Sequence, residues 1–379
     1  MTTLPAHRSP ARFPPARFPP ARLLPGIALL AVVSLATAFP LPASAAPAPA
    51  PDTIPAAEPA SYLIARRADP WIHRHDDGYY YFIATVPEFD RIELRRAPTI
   101  DGLADADATV IWRKHASGAQ GANIWAPELH RIDGAWYVYF AAGEAEDPWR
   151  IRMYALRNAA ANPMQGRWEE MGRIRTPHDT FALDATSFVH KGQRYLLWAQ
   201  ADPERSYNSA LLLAPMDSPT RIGAPVVILS RPELDWETIG YRVNEGAAVL
   251  QKNGRVFVTY SASATDHNYA MGLLWADADA DLLDPDAWHK SPQPVFRTSE
   301  RLRRFGPGHN SFTVAEDGVT DLMVYHARDA RDLEGGALGD PNRHTRVRVL
   351  HWHADGMPDF RQDEADQPRP TAPDTGDLP

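Results

Sequence analysis

No cysteine occurs among the 379 residues of this chain. That excludes disulfides, thiolate metal sites and cysteine nucleophiles, and it leaves packing or a bound ion to hold the fold. No stretch keeps a helical period of apolar residues, so a helical architecture is excluded as well. Positive charge is also in short supply. Lys and Arg number 39 against 48 Asp and Glu, a formal charge of −9, which suits neither nucleic acid nor an anionic lipid surface. No phosphate-binding loop, zinc-binding helix or nucleophile elbow is present, and Gly306-Pro307-Gly308 is only a turn.

One short apolar run, Ile27 to Ala38, follows a proline-rich front with Arg8, Arg12, Arg17 and Arg22. It is too short to cross a bilayer, and Ala43-Ser44-Ala45 after it fits a cleavage site. Residues 1–45 are therefore expected to be a signal peptide, and the protein secreted or periplasmic, with no membrane partner after cleavage. Loss of the leader's four Arg takes the formal charge from −9 to −13. Residues 46–60 are rich in Ala and Pro and are expected to form a linker. Residues 361–379 are expected to be a polar tail. That leaves 61–360 as one domain.

Within that domain one pattern occurs five times. A turn with Gly is followed by a strand of aromatic and aliphatic residues. The glycines are Gly78, Gly134, Gly192, Gly254 and Gly318, at intervals of 56, 58, 62 and 64 residues. Strand signals fill the intervals, with about four strands per repeat. The expected fold class is all-β, a five-bladed β-propeller. A β-sandwich leaves the even spacing unexplained.

Counting back eight or nine residues from each glycine reaches Asp69, Trp125, Asp184, Glu245 and His309. Each stands where the innermost strand of its blade should begin, and in a propeller those starts converge on the axis. Asp69 before Pro70 also suits a turn, Asp184 a backbone cap, and Glu245 an ion pair with Arg242. In common phase, however, three carboxylates meet an indole and an imidazole. Such a group suits glycosidic cleavage, in which one carboxyl protonates the leaving oxygen and another, ionised, acts on water or the sugar. A third carboxylate nearby raises the acid's pKa. Trp125 offers a face for a sugar ring. His309 is either a satisfied core histidine or a ligand to a cation.

Five segments, ADPWI, WAPEL, LDATSF, NEGAAV and GHNSF, occur in the order and blade positions of glycoside hydrolase family 43. Over about Ala68 to Phe360 the chain resembles that family of five-bladed propellers. The resemblance implies that Asp69 is the general base, Asp184 the acid that tunes the proton donor, and Glu245 the general acid of an inverting hydrolase. Inversion leaves about 6.5–9.5 Å between base and acid for the attacking water. The resemblance further implies a calcium ion at His309, Trp125 as a wall of the sugar pocket, and a substrate-binding arginine in the last blade, Arg346 before Arg343. The late segments YHARD and DPNRHTRVRVLHW are most similar to the α-L-arabinofuranosidase branch, so the expected partner is arabinan, arabinoxylan or their oligosaccharides. β-Xylosidase and endo-arabinanase activities of the same family are the nearest alternatives, and a non-catalytic carbohydrate-binding propeller is the alternative of another class. Loops Arg328–His344 and Thr265–Tyr269 are the candidates to close the cleft for exo action. Glu128, an acid without a counterpart in the other blades, is expected to be structural.

Overall fold

The computed structural model describes residues 62–205 and 207–360. The expected signal peptide, linker and tail lie outside the described residues. Inside them, antiparallel sheets follow one another along the chain. Blade 1 is β1 (Ala68–Arg74), β2 (Tyr80–Thr85), β3 (Arg91–Ala97) and β4 (Thr109–Arg113). Blade 2 is β5 (Ala122–Ile132), β6 (Ala135–Gly143), β7 (Arg152–Asn158) and β8 (Glu169–Arg173). Blade 3 is β9 (Ala182–His190), β10 (Gln193–Gln200) and β11 (Ala210–Ser218), with β12 (Arg221–Ile222) and β13 (Val227–Ser230) both paired to β11. Blade 4 is β14 (Asn244–Lys252), β15 (Arg255–Ala262), β16 (Ala270–Asp277) and β17 (His289–Lys290). Blade 5 is β18 (Phe305–Val314), β19 (Asp321–Arg328) and β20 (His344–Val349), and a small hairpin of β21 (His351–Trp352) and β22 (Pro358–Asp359) follows. The protein is an all-β, five-bladed propeller.

Blade 5 takes its fourth pairing from the other end of the domain. Ile64 bridges Thr345 on the free side of β20, with the Leu63 amide 2.8 Å from the Thr345 carbonyl and the Thr345 amide 2.9 Å from that of Ile64. The segment that leads into blade 1 thereby closes the ring on blade 5.

The five repeat glycines sit in the hairpin turns between the first two strands of each blade, all with φ between 72° and 82°. A Cβ at Gly134 would touch nothing within 4 Å, so the left-handed backbone, not crowding, selects glycine there. The strands then read as continuous apolar runs, because each sheet is covered on both faces by its neighbours. Tyr81, Ile83, Leu129 and Val138 pack between blades 1 and 2. Tyr139, Leu196 and Trp198 pack between blades 2 and 3, and Leu197, Leu213, Val258 and Leu274 between blades 3 and 4. Phe257, Met271 and Tyr325 fill the interface of blades 4 and 5, and Ile72, Phe82 and Val324 that of blades 5 and 1.

β20 ends at Val349, where the Leu350 amide turns to the Asp321 carbonyl at 2.8 Å. The Asp277–Trp288 stretch holds a single turn of 3-10 helix, Pro285–Ala287, capped by Asp284.

Candidate active site

Every innermost strand carries a bulge at the same height. The register shifts between Ala68 and Trp71, Trp125 and Glu128, Glu245 and Ala248, and Gly308 and Ser311, and blade 3 shifts across Leu183 to Thr186. Inside each bulge one residue has left-handed φ: Asp69 53°, Ala126 45°, Asp184 56°, Gly246 56° and His309 43°. The phase read from the sequence is thus corrected by one residue in two blades, to Ala126 and Gly246. Trp125 and Glu245 stand one position earlier, on the rim side of the bulge. Non-glycine residues in this conformation are uncommon, and their clustering around one axis marks a functional site.

The bulge amides tie the ring together. The Asp69 amide donates to His326 Nδ1 at 3.1 Å, that of Ala126 to Thr85 Oγ1 at 2.7 Å, that of Gly246 to Asp184 Oδ2 at 2.9 Å, and that of His309 to Ser261 Oγ at 2.8 Å. Each acceptor belongs to the preceding blade. Thr85, Ser261 and His326 occupy one equivalent position, opposite the bulge on the second strand. Blade 3 has Ala199 there, opposite Leu183, and Asp184 itself supplies the acceptor.

Asp69 is buried among donors. Thr85 Oγ1 donates to its Oδ2 at 2.6 Å, while Oδ1 faces Arg343 at 3.4 Å, His309 Nδ1 at 3.3 Å and His326 Nδ1 at 3.4 Å. Burial alone would raise its pKa, but His309, Arg343 and His326 outweigh burial and hold the carboxyl well below the usual range. Burial lowers the pKa of both histidines, that of His326 to about 3. Both rings are neutral near pH 7, and Arg343 is the standing positive charge beside Asp69.

Glu245 behaves in the opposite way. Burial and the Asp69 charge raise its pKa to about 7, against the Tyr269 hydroxyl, which donates to Oε1 at 2.9 Å, and against Arg343. Asp184 is also raised well above its ordinary value, by burial, then by Glu245 and Asp69. Those two carboxyls therefore retain a proton that Asp69 does not. Glu245 is aimed by its neighbours. Asn244 Nδ2 donates to Glu237 Oε1 at 3.2 Å, and Ser230 Oγ donates to Asn244 Oδ1 at 2.7 Å. Gly246 must be glycine, since a Cβ there would lie 2.9 Å from the His309 ring.

Glu128 lies deeper, buried against His130 Nε2 at 2.9 Å and raised well above its ordinary pKa by burial. The two candidate arginines are placed differently. Arg346 is 1 % exposed and paired with Asp329, whereas Arg343 reaches Asp69. The loop before β20 carries Arg343 inward, and β20 itself turns Arg346 towards Asp329. A narrow crevice of about 10 Å³, room for about one water, is lined by Ala68, Thr85, Phe89, Asp340 and Arg343 among others. Trp125 is only 7 % exposed, edge-on to Phe89 at 5.8 Å and to Trp149 at 6.0 Å. The open aromatic surface belongs to Trp149.

Calcium takes six to eight oxygen ligands. Among the described residues no three His, Asp or Glu side chains converge as a metal-binding group, and His309 Nδ1 faces Asp69.

Thr85, Tyr269 and His326 were not expected from the sequence, and Arg343 was expected only after Arg346. Thr85 and His326 had a signal. Each is a polar residue at the mouth end of the apolar run of its blade's second strand. Arg343 lies in a loop without periodicity, which gave no reason to place it first.

A family model described as glycosyl hydrolases family 43 matches residues 62–358. An extracellular exo-α-(1→5)-L-arabinofuranosidase of Streptomyces avermitilis is 56 % identical over 315 residues, 82 % of this chain and 66 % of the relative. The chain thus spans just under two thirds of that relative's length. A protein of the same description from Streptomyces chartreusis is 54 % identical, over 80 % of this chain and 90 % of the relative. The crystal structure of an α-L-arabinofuranosidase from Lactobacillus brevis superposes with a TM-score of 0.77 at 52 % identity, covering 79 % of this chain and 95 % of that one.

Proposed function

We propose that this chain, which belongs to glycosyl hydrolases family 43, is an extracellular α-L-arabinofuranosidase that releases terminal α-1,5-linked arabinofuranosyl units with inversion. The observation that carries this reading is the separation of proton affinity among neighbouring carboxyls. Asp69 stays ionised while Glu245 is raised to about 7. Paired carboxyls with such different environments divide naturally into base and acid. The relatives named as exo-acting arabinofuranosidases support the substrate, and their description as extracellular supports the location.

In this mechanism a water on Asp69 attacks the anomeric carbon and passes its proton to the carboxylate as the bond to the leaving oxygen breaks. Glu245 gives its proton to that oxygen. Asp184 holds the Gly246 amide beside the acid, and the Asp69 charge discourages Glu245 from ionising early. Arg343 and Thr85 fix the two oxygens of Asp69.

The test is product analysis with linear α-1,5-arabinan, arabinoxylan and xylo-oligosaccharides, with Glu245→Gln in parallel. Free arabinose from arabinan, lost in the variant, supports the reading. Short oligosaccharides would make the enzyme an endo-arabinanase, and xylose a xylosidase. If nothing is released from any of them, the chain is a binding propeller. Proton NMR of the first product decides between inversion and retention.

A further inference from the structure

We propose that Trp149 is a stacking platform for the second sugar of the substrate, the pentose unit next to the one held at the axis. This rests on the arabinofuranosidase reading above. Trp149 is 62 % exposed, the most exposed aromatic among the described residues. An indole left in water forfeits the gain of burial, unless a partner covers it.

Its position fits that partner. The residue lies in the loop after β6, which ends at the same mouth as the bulges. Its ring centroid is 6.0 Å from that of Trp125, at 63°. Trp125 directly precedes Ala126 on the axis. A sugar chain that leaves the axis on the side of blade 2 would cross this rim.

The loop is also held in place before any ligand arrives. Asn123 Nδ2 donates to the Pro148 carbonyl at 2.9 Å, and the Arg150 amide to the Asp147 carbonyl at 3.0 Å. Arg150 pairs with Glu144 at 3.4 Å and Asp179 at 3.6 Å. At Gly143 a Cβ would lie 2.2 Å from the Pro148 oxygen, so the loop folds back where only glycine permits. An exposed ring on a fixed loop loses little freedom on binding. Its apolar face suits the C–H face of an uncharged sugar.

The experiment compares Trp149→Ala and Trp149→Phe with the wild type on methyl α-L-arabinofuranoside, which has no second sugar, and on α-1,5-arabinotriose. In Trp149→Ala, kcat/KM on the triose falls about tenfold more than on the methyl glycoside, and KM carries the difference. Trp149→Phe recovers most of it. Equal losses on both substrates, or no loss on the triose, overturn the platform. Intrinsic tryptophan fluorescence supplies a second readout, with arabinotriose and xylotriose titrated into Glu245→Gln with and without Trp149→Ala, so that the ligand is not consumed. Binding equally tight with and without Trp149 also overturns the platform. A wild type that hydrolyses neither arabinoside overturns the parent reading instead, and the two titrations then decide the platform by themselves.

Discussion

The Thr85 hydroxyl donates to Asp69 Oδ2 at 2.6 Å and, at the same time, accepts the Ala126 amide at 2.7 Å. One side chain thus fixes the base within blade 1 and joins blade 1 to blade 2. Thr85→Val keeps the shape and removes the oxygen, leaving a buried amide and a carboxylate oxygen each short of a partner. Stability should fall by about 1–3 kcal/mol, measured by urea unfolding, and kcat should fall with it. Thr85→Ser should restore both. A Val variant as stable and as fast as the wild type would show that the bridge is dispensable.

Glu245→Gln leaves a group that cannot protonate the leaving oxygen. Activity on arabinan should drop by about 100-fold or more. An aryl arabinofuranoside with an acidic phenol leaving group should lose far less, because that oxygen departs without help. Steady-state rates on the two substrates give the ratio, and equal losses would remove Glu245 from the acid role.

The pH profile follows from the same carboxyl. Glu245 must be protonated to act, and its pKa is raised to about 7. The rate should therefore decline as pH rises through about 7, and Asp69, held well below the usual range, should set no limb between pH 4 and 7. Stability moves in the same direction. A carboxyl raised from an ordinary 4.5 stabilises fully below 4.5 and loses that contribution as pH climbs through about 7. Relative to Glu245→Gln, the wild type should lose up to about 3 kcal/mol between pH 4.5 and 8. Chemical denaturation of both proteins at several pH values measures it.

Arg343→Met removes the standing positive charge beside Asp69. The carboxyl should then bind protons more readily, and an acid limb should enter the kcat/KM profile at higher pH than in the wild type. An unchanged acid side would mean that the Thr85 hydroxyl and the neutral imidazoles suffice to keep Asp69 ionised.

His309 contributes the one imidazole that a calcium ion on the axis would use. If an ion is held there, chelation should lower the melting temperature, added calcium should restore it, and His309→Ala should abolish the difference. A melting curve indifferent to chelator and calcium alike removes the ion.

Much of the fold was legible because blade geometry is written in local chemistry. The turn glycines need left-handed backbone, and the second strands need unbroken apolar runs. The three carboxylates were legible through their distance from those turns. The bulge itself was not. A single extra residue leaves no mark in a period-2 pattern that both faces of a buried sheet have already erased, so Trp125 and Glu245 were counted as equivalent to Asp69 and His309. The choice between Arg343 and Arg346 was equally hidden. Three residues apart near a strand start, they differ only in whether loop or sheet directs them. The short outer strands β8, β12 and β17 carry mixed polar sequence at the wet edge and give no signal of their own.

The eight or nine residues between each bulge and its turn glycine have an evolutionary consequence. Blade spacing drifts from 56 to 64 residues, yet that one interval hardly varies across the five copies. Insertions and deletions can accumulate in the rim loops, where they remodel what the mouth admits without disturbing the chemistry. A single residue gained between Asp184 and Gly192 would rotate every side chain that follows to the opposite face of β9. Substrate choice can therefore diverge by loop length among descendants of this domain, while its reaction can be lost by one codon.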